Sequence, residues 1–421
     1  MRIHRVFMWP LLFGLVIVFS VAMPQVASAQ TVPVCQQIVN EAIQSIGLNC
    51  ANNETGFACY ASPELTPMGV TGFDATLFDE PGERIALNDL VRLSAEASNR
   101  TDRTWGIGVY NLQASLPSGF PNDVIVVTFG ETQLEHGVQN DLLFQPLEAP
   151  LTATTTAASE LRLATLTPPA LAELAGNAPA GSSVQIDAIS QDGNWVRGIF
   201  AGDPVWFRAS AFNSADLNGL PVLPEDHFSP YQRFYAVTGG RTDCVETQSL
   251  ILVQGPRDTA VDLLPNGIHV RLESTMLIRT FDLGFPMGRT MEIIVLNGVV
   301  TINPDTARPI YVPAGYRIRI GLGPDLVSLG NEGDADERSG PYTFNDPVIL
   351  DQAALTRLNF LTRIPSNILN YLIQLPQIIL ASGIGGPIPQ IIFPNPQAAA
   401  VIQRYCNENR LPAAICRTFG F

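Results

Sequence analysis

The chain has 421 residues, a formal charge of −15 at neutral pH and six cysteines. All 24 of its basic residues are arginine, which excludes Schiff-base lysines, Walker-A phosphate loops and Ser–Lys dyads. Such acidity argues against nucleic acid as a partner, since phosphates need a basic stripe, and against adhesion to anionic lipid by charge alone.

Residues 1–29 have the three zones of a signal peptide. Arg2, His4 and Arg5 form a basic head, an apolar run follows from 6 to 22, and Ala27-Ser28-Ala29 supplies the small residues for cleavage before Gln30. The run approaches the ~20 residues that span a bilayer, but Pro10, Gly14 and Pro24 favour cleavage over an uncleaved anchor. No integral membrane span is expected after cleavage. Cys35 follows Val34, where a lipid-anchor motif needs a small residue.

The expected compartment is therefore extracytoplasmic, secreted or at the cell envelope. There Cys35, Cys50, Cys59, Cys244, Cys406 and Cys416 read as disulfides rather than metal ligands. No C-x-x-C occurs. Cys406 and Cys416 are the closest candidates for a local pair. If they pair and all six oxidise, Cys244 must bond to one of the N-terminal trio.

Only 15% of residues are charged and 46% are apolar, with 34 glycines and 33 prolines. Val, Ile and Thr in short runs between those breakers indicate strand and turn. The expected fold is mainly β, with several small barrel or sandwich modules and short N- and C-terminal helical segments.

In chain order, residues 30–66 form a cysteine-containing helical segment. Ile38, Val39, Ala42, Ile43 and Ile46 recur at helical spacing, and Gly47 is a plausible stop. Residues 67–145 read as a β module with strands near 85–93, 105–116 and 124–129. A Thr-, Ala- and Pro-rich linker covers 146–159.

Residues 160–214 read as a small barrel. Its strands begin at Leu161-Arg162-Leu163, at Val184 and Ile186, at Trp195-Val196-Arg197 after the turn Asp192-Gly193-Asn194, and at Val205-Trp206-Phe207. A second linker covers 215–243, and 244–330 form a further β domain punctuated by Asn266-Gly267, Asn297-Gly298 and Ala314-Gly315. Residues 331–421 are assigned to an acidic loop and a C-terminal helical cap, with helices at 355–361, 368–375 and 398–405.

The pattern Leu161-Arg162, Pro179-Ala180-Gly181, Asp192-Gly193-Asn194-Trp195-Val196-Arg197 and Val205-Trp206-Phe207 resembles the bacterial SH3 (SH3b) family. That family often carries R-x-G-P after its first strand, where this chain has Arg162-Leu163-Ala164-Thr165. The stretch from Met291 to Ile302, followed by Val312-Pro313-Ala314-Gly315, resembles a FecR-like β domain. The combination is similar to a family of secreted proteins from filamentous (Chloroflexi-type) bacteria. These resemblances imply a peptide or peptidoglycan ligand, or an extracytoplasmic signalling role as the alternative.

The mature histidines, His136, His227 and His269, show no metal spacing, and no G-x-S-x-G marks a nucleophile. Glu332, Asp334, Asp336 and Glu337 form an acidic cluster without EF-hand order. No catalytic residue, metal site or cofactor is assigned, and a secreted hydrolase is the least favoured class. Trp195, Trp206 and Phe207 are the ligand-binding candidates, because exposed aromatics serve peptide and glycan contacts. The expected function is non-enzymatic binding of peptidoglycan, cell-wall peptide or extracellular matrix.

Overall fold

Short strands separated by turns build three main sheets in a computed structural model. It describes residues 33–137, 147, 149–224, 228–257, 259–282, 289–322, 346–383, 386–394 and 396–421. Residues 1–29, read in sequence as a signal peptide, His227 and the acidic cluster Glu332, Asp334, Asp336 and Glu337 lie outside the described residues. The fold is mainly β with short terminal helices.

The first sheet has nine strands. Its spatial order is Val348–Ile349, Tyr316–Gly321, Arg289–Asn297, Thr275–Asp282, Leu250–Gln254, Val124–Phe129, Ile107–Leu112, Phe57–Ser62 and Arg84–Ala86. The second has eight. They run Leu65–Gly69, Leu90–Ala95, Thr132–His136, Arg233–Thr238, Val261–Pro265, Val270–Leu272, Val299–Ile302 and Ile310–Pro313. Both sheets therefore draw strands from the stretches read in sequence as separate β modules, 67–145 and 244–330, and one core runs between them.

Continuous apolar runs mark the strands covered on both faces. In Val124–Phe129, Val124 and Val126 face the core between the sheets, while Ile125, Val127 and Phe129 face a helical layer. Helix α1 (Val34–Asn49) lies in that layer, burying Ile38, Val39, Ala42, Ile43 and Ile46. Each fully buried isoleucine contributes about 1.5–3 kcal/mol. The helix continues past Gly47, whose backbone approaches Pro365 closely.

Disulfides join this layer to the sheet. Cys35 bonds to Cys244, 209 residues away, and Cys50 bonds to Cys59 at the end of α1. Cys406 and Cys416 form the third bridge, between helices α2 (Pro396–Asn407) and α3 (Ala413–Thr418). Three disulfides belong to an oxidising compartment. No helix among the described residues is long and apolar enough to cross a membrane.

Residues 147–224 are inserted between two paired strands of the second sheet. Thr132–His136 leads out, Arg233–Thr238 returns, and the two pair antiparallel from Thr132↔Thr238 to His136↔Phe234. The insertion has a seven-stranded sheet in which Leu174–Ala178, Ser159–Leu163, Asp203–Arg208, Trp195–Phe200, Ser183–Ser190 and Val222–Leu223 lie in order. Leu151–Thr154 also pairs with Ser183–Ser190. Ala178, on the edge strand Leu174–Ala178, and Ala153, on the strand added beside Ser183–Ser190, share one core with Val196 and Phe207, so the sheet wraps on itself.

The structure corrects several boundaries. Both linkers carry strands: Leu151–Thr154 in the first, Val222–Leu223 and Arg233–Thr238 in the second. The alternation Arg233-Phe234-Tyr235-Ala236-Val237-Thr238, with every second residue buried, is a strand signal that proline-rich flanks obscured. The 85–93 stretch divides between sheets, Arg84–Ala86 in the first and Leu90–Ala95 in the second. No helix forms at 368–375; the hairpin Gln377–Gly383 with Gly386–Ile392 follows instead. Pro376 bars a helix from continuing, and β-branched isoleucines favour the extended chain beyond it.

Candidate binding site

The three aromatic candidates are all buried. Trp195 is 2% exposed, Trp206 3% and Phe207 0%, so none offers an open aromatic platform. Alternation along Asp203–Arg208 sends Trp206 and Phe207 to opposite faces. Phe207 packs edge-on against Phe200 and Phe212 inside the inserted unit. Trp195 and Trp206 instead form a separate cluster with Ala164, Ala188 and Leu223.

A cavity of about 80 Å3 lies against that second cluster. Trp195 and Trp206 form one side, Leu223 and Pro224 another, and the loop containing Thr165, Thr167, Pro168 and Pro169 the third. The Asp192-Gly193-Asn194 turn fixes the Trp195 end. Gly193 supplies φ +70°, while Asp192 Oδ1 accepts from Ser190 Oγ at 2.6 Å and Asn194 N at 3.0 Å. The Arg208 guanidinium covers the outer face of the Trp195 ring at 3.9 Å. Trp206 Nε1 is buried without a hydrogen-bond partner. Leaving such a donor unpaired costs about 1–3 kcal/mol.

Arg162 explains how the wall of the cavity is held. Its Nη1 donates to Ala172 O at 2.8 Å, tying down the far end of the loop that begins at Ala164-Thr165. This is the stretch that departs from R-x-G-P.

The same loop meets the sandwich at a charged cluster that motif reading did not find. Asp262 is fully buried. Its Oδ1 accepts from Arg271 Nε at 2.9 Å, its Oδ2 accepts from Leu166 N at 3.0 Å, and His269 Nε2 lies 3.0 Å from Oδ2. Thr167 Oγ1 donates to Asp305 Oδ2 at 2.7 Å and sits 3.1 Å from Arg271 Nη2. Burial alone would raise the Asp262 carboxyl, but the charges of Arg271 and His269 outweigh it and hold it well below the usual range. Burial likewise opposes a charge on His269, yet Asp262 and Asp305 raise it above the ordinary histidine value.

A signal for this cluster does exist in the sequence. Asn266 and Gly267, both at positive φ, turn a hairpin in which Asp262 stands directly opposite Arg271. His269 and Arg271 are two apart, and so share one face of an otherwise apolar strand pair.

Comparisons with protein families, curated proteins and solved structures find no match.

The functional evidence is thus the geometry itself. Thr167 Oγ1 donates to Asp305 rather than to the imidazole, which ties the cavity loop to the sandwich through this cluster. Among the described residues no group of three His, Cys, Asp or Glu side chains is set to hold a metal ion, and the positive partner around Asp262 is Arg271.

Proposed function

We propose that the chain is a non-enzymatic secreted or cell-envelope protein that binds cell-wall peptide through its inserted β unit. The observation that carries this reading is the small cavity against Trp195 and Trp206, where Trp206 Nε1 lacks an acceptor. A peptide carbonyl would complete that donor, and a space of about 80 Å3 suits a small side chain such as alanine. Three disulfides and the charged fastening of the cavity loop supply rigidity, which lowers the entropy lost on binding.

The test is co-sedimentation of the purified mature chain with cell-wall sacculi. Trp206→Phe removes the donor, and Ala170→Phe, on the exposed part of the loop, obstructs the cavity without touching the core. Both are expected to reduce the bound fraction several-fold while the unfolding midpoint of Ala170→Phe stays near that of the parent. A parent chain that leaves sacculi in the supernatant, or an Ala170→Phe variant that binds as well as the parent, overturns the reading.

A further inference from the structure

On the outer face of the first sheet the helical cover ends, and one carboxylate is left among three arginines. Glu292 lies opposite Arg279 on one neighbouring strand and opposite Arg319 on the other. Arg317, two residues before Arg319, shares their face. Glu292 is fully buried. Its Oε2 is 2.5 Å from Arg279 Nη2, and its Oε1 is 2.9 Å from Arg319 Nε and 3.4 Å from Arg317 Nη1.

Among the described residues, the three guanidiniums against the one Glu292 carboxylate leave two positive charges in surplus. Nearby, Arg241 pairs with Glu131, and Asp282 stands opposite Arg289 in the ladder. This local sign is the reverse of the chain's net −15. Each guanidinium carries five donors, while Glu292 has two oxygens to accept them. Gln248 Oε1 takes one more, from Arg279 Nη1 at 3.1 Å. Arg279 Nε is buried with no partner, and the arginine side chains are 28–34% exposed.

A groove of about 670 Å3 opens beside them, bounded by Arg279, Arg319 and Arg241, with Asp282 as its second carboxylate beside Glu292 and with Gln248, Ser249 and Thr242 also on its wall. Pockets of about 300–1,000 Å3 hold small organic ligands. Planar guanidinium forks match a planar carboxylate in two-point contact. Phe281 is the one aromatic ring in the wall, and Arg319 lies over it. Hydroxyl and amide groups on the rim suit sugar hydroxyls better than apolar side chains. We propose that this groove binds the carboxylate of an acidic polysaccharide, a site separate from the cavity at Trp206.

Calorimetric titration of the full mature chain with trigalacturonate, and with neutral trigalactose as its uncharged counterpart, tests the assignment. Trigalacturonate is expected to bind, trigalactose to bind at least tenfold more weakly, and Arg279→Ala to lower trigalacturonate affinity at least tenfold. Because Arg279→Ala also disturbs a buried ion pair, Glu292→Gln provides the opposite arm. It removes the competing internal carboxylate, keeps its volume, and is expected to tighten binding about threefold or more. Failure of trigalacturonate to bind, equal binding of both sugars, or weaker binding by Glu292→Gln overturns the proposal. Inorganic phosphate competing as well as glutarate overturns the planar-carboxylate assignment.

Discussion

Asp187 and Asp262 make the same connection from opposite sides of one junction. Asp187, in the inserted unit, is gripped by Arg197 at 2.9 and 2.7 Å and accepts Ser118 N of the sandwich at 2.8 Å. Asp262, in the sandwich, is gripped by Arg271 and accepts Leu166 N of the inserted unit at 3.0 Å. Each buried carboxylate is neutralised by its own sheet and spends a remaining lone pair on the other unit.

Removing either charge breaks the buried ion pair that carboxylate makes with its guanidinium, a change that costs about 3–5 kcal/mol. Asp187→Asn and Asp262→Asn are each expected to lower unfolding free energy by that order in a urea titration. A loss below about 1 kcal/mol for either means that its pair behaves as a surface salt bridge and does not fasten the junction.

His269 makes this junction sensitive to pH in a defined direction. Asp262 and Asp305 face it as carboxylates and Arg271 as the opposing cation. Its folded-state pKa is raised above 6.5, so its contribution is fully present below that value and is lost as pH rises through the folded pKa. Asp262, lowered from 3.8, contributes above 3.8 and loses that contribution only when acid reaches its depressed folded pKa. The unfolding midpoint should therefore fall as pH rises above 6.5 and through the raised folded pKa, and His269→Gln should flatten that fall. Equal slopes in parent and variant would show that His269 does not set the dependence.

Element types were legible wherever one local pattern sufficed. Helix α1 follows from the spacing of Ile38, Val39, Ala42, Ile43 and Ile46, and the inserted unit from its Asp192-Gly193 turn and tryptophan-bearing strands. Sheet membership was not legible, because pairing Thr132–His136 with Arg233–Thr238 spans a whole inserted unit and no local pattern encodes it. Site residues were half legible. Trp195 and Trp206 were identifiable as aromatics at strand positions, but their burial depends on the loop around Pro168 and Pro169. Glu292 was not singled out, because its partners lie on two other strands and no local pattern ties them to it.

The Cys35–Cys244 bridge closes the longest covalent loop in the chain, with a sequence separation of 209. Loop-closure entropy assigns such a cross-link about 5 kcal/mol. Replacing both cysteines by serine should lower the midpoint far more than replacing Cys406 and Cys416, whose separation is 10. Differential scanning of the two double variants decides this. An equal drop would place the stabilisation in native packing around Cys244 rather than in the unfolded chain.

Gly298 sets the passage between the two sheets. The strand Arg289–Asn297 belongs to the first sheet and Val299–Ile302 to the second, so the chain must change layers within one residue. Gly298 does this at φ +65°, a region that side chains rarely adopt. The space is closed as well: a β-carbon there would lie 2.5 Å from Ser274 Cβ and 2.8 Å from Glu273 O. Those two residues belong to the neighbouring crossing between Val270–Leu272 and Thr275–Asp282, so relief at one crossing displaces the other. Gly298→Ala should therefore cost more than the ~1 kcal/mol of backbone strain alone, about 2–4 kcal/mol once overpacking is included. Gly193→Ala is the comparison, since φ is also positive there but no heavy atom lies within 4 Å. Urea unfolding of both variants separates strain from overpacking, and equal losses would remove the steric part of the argument.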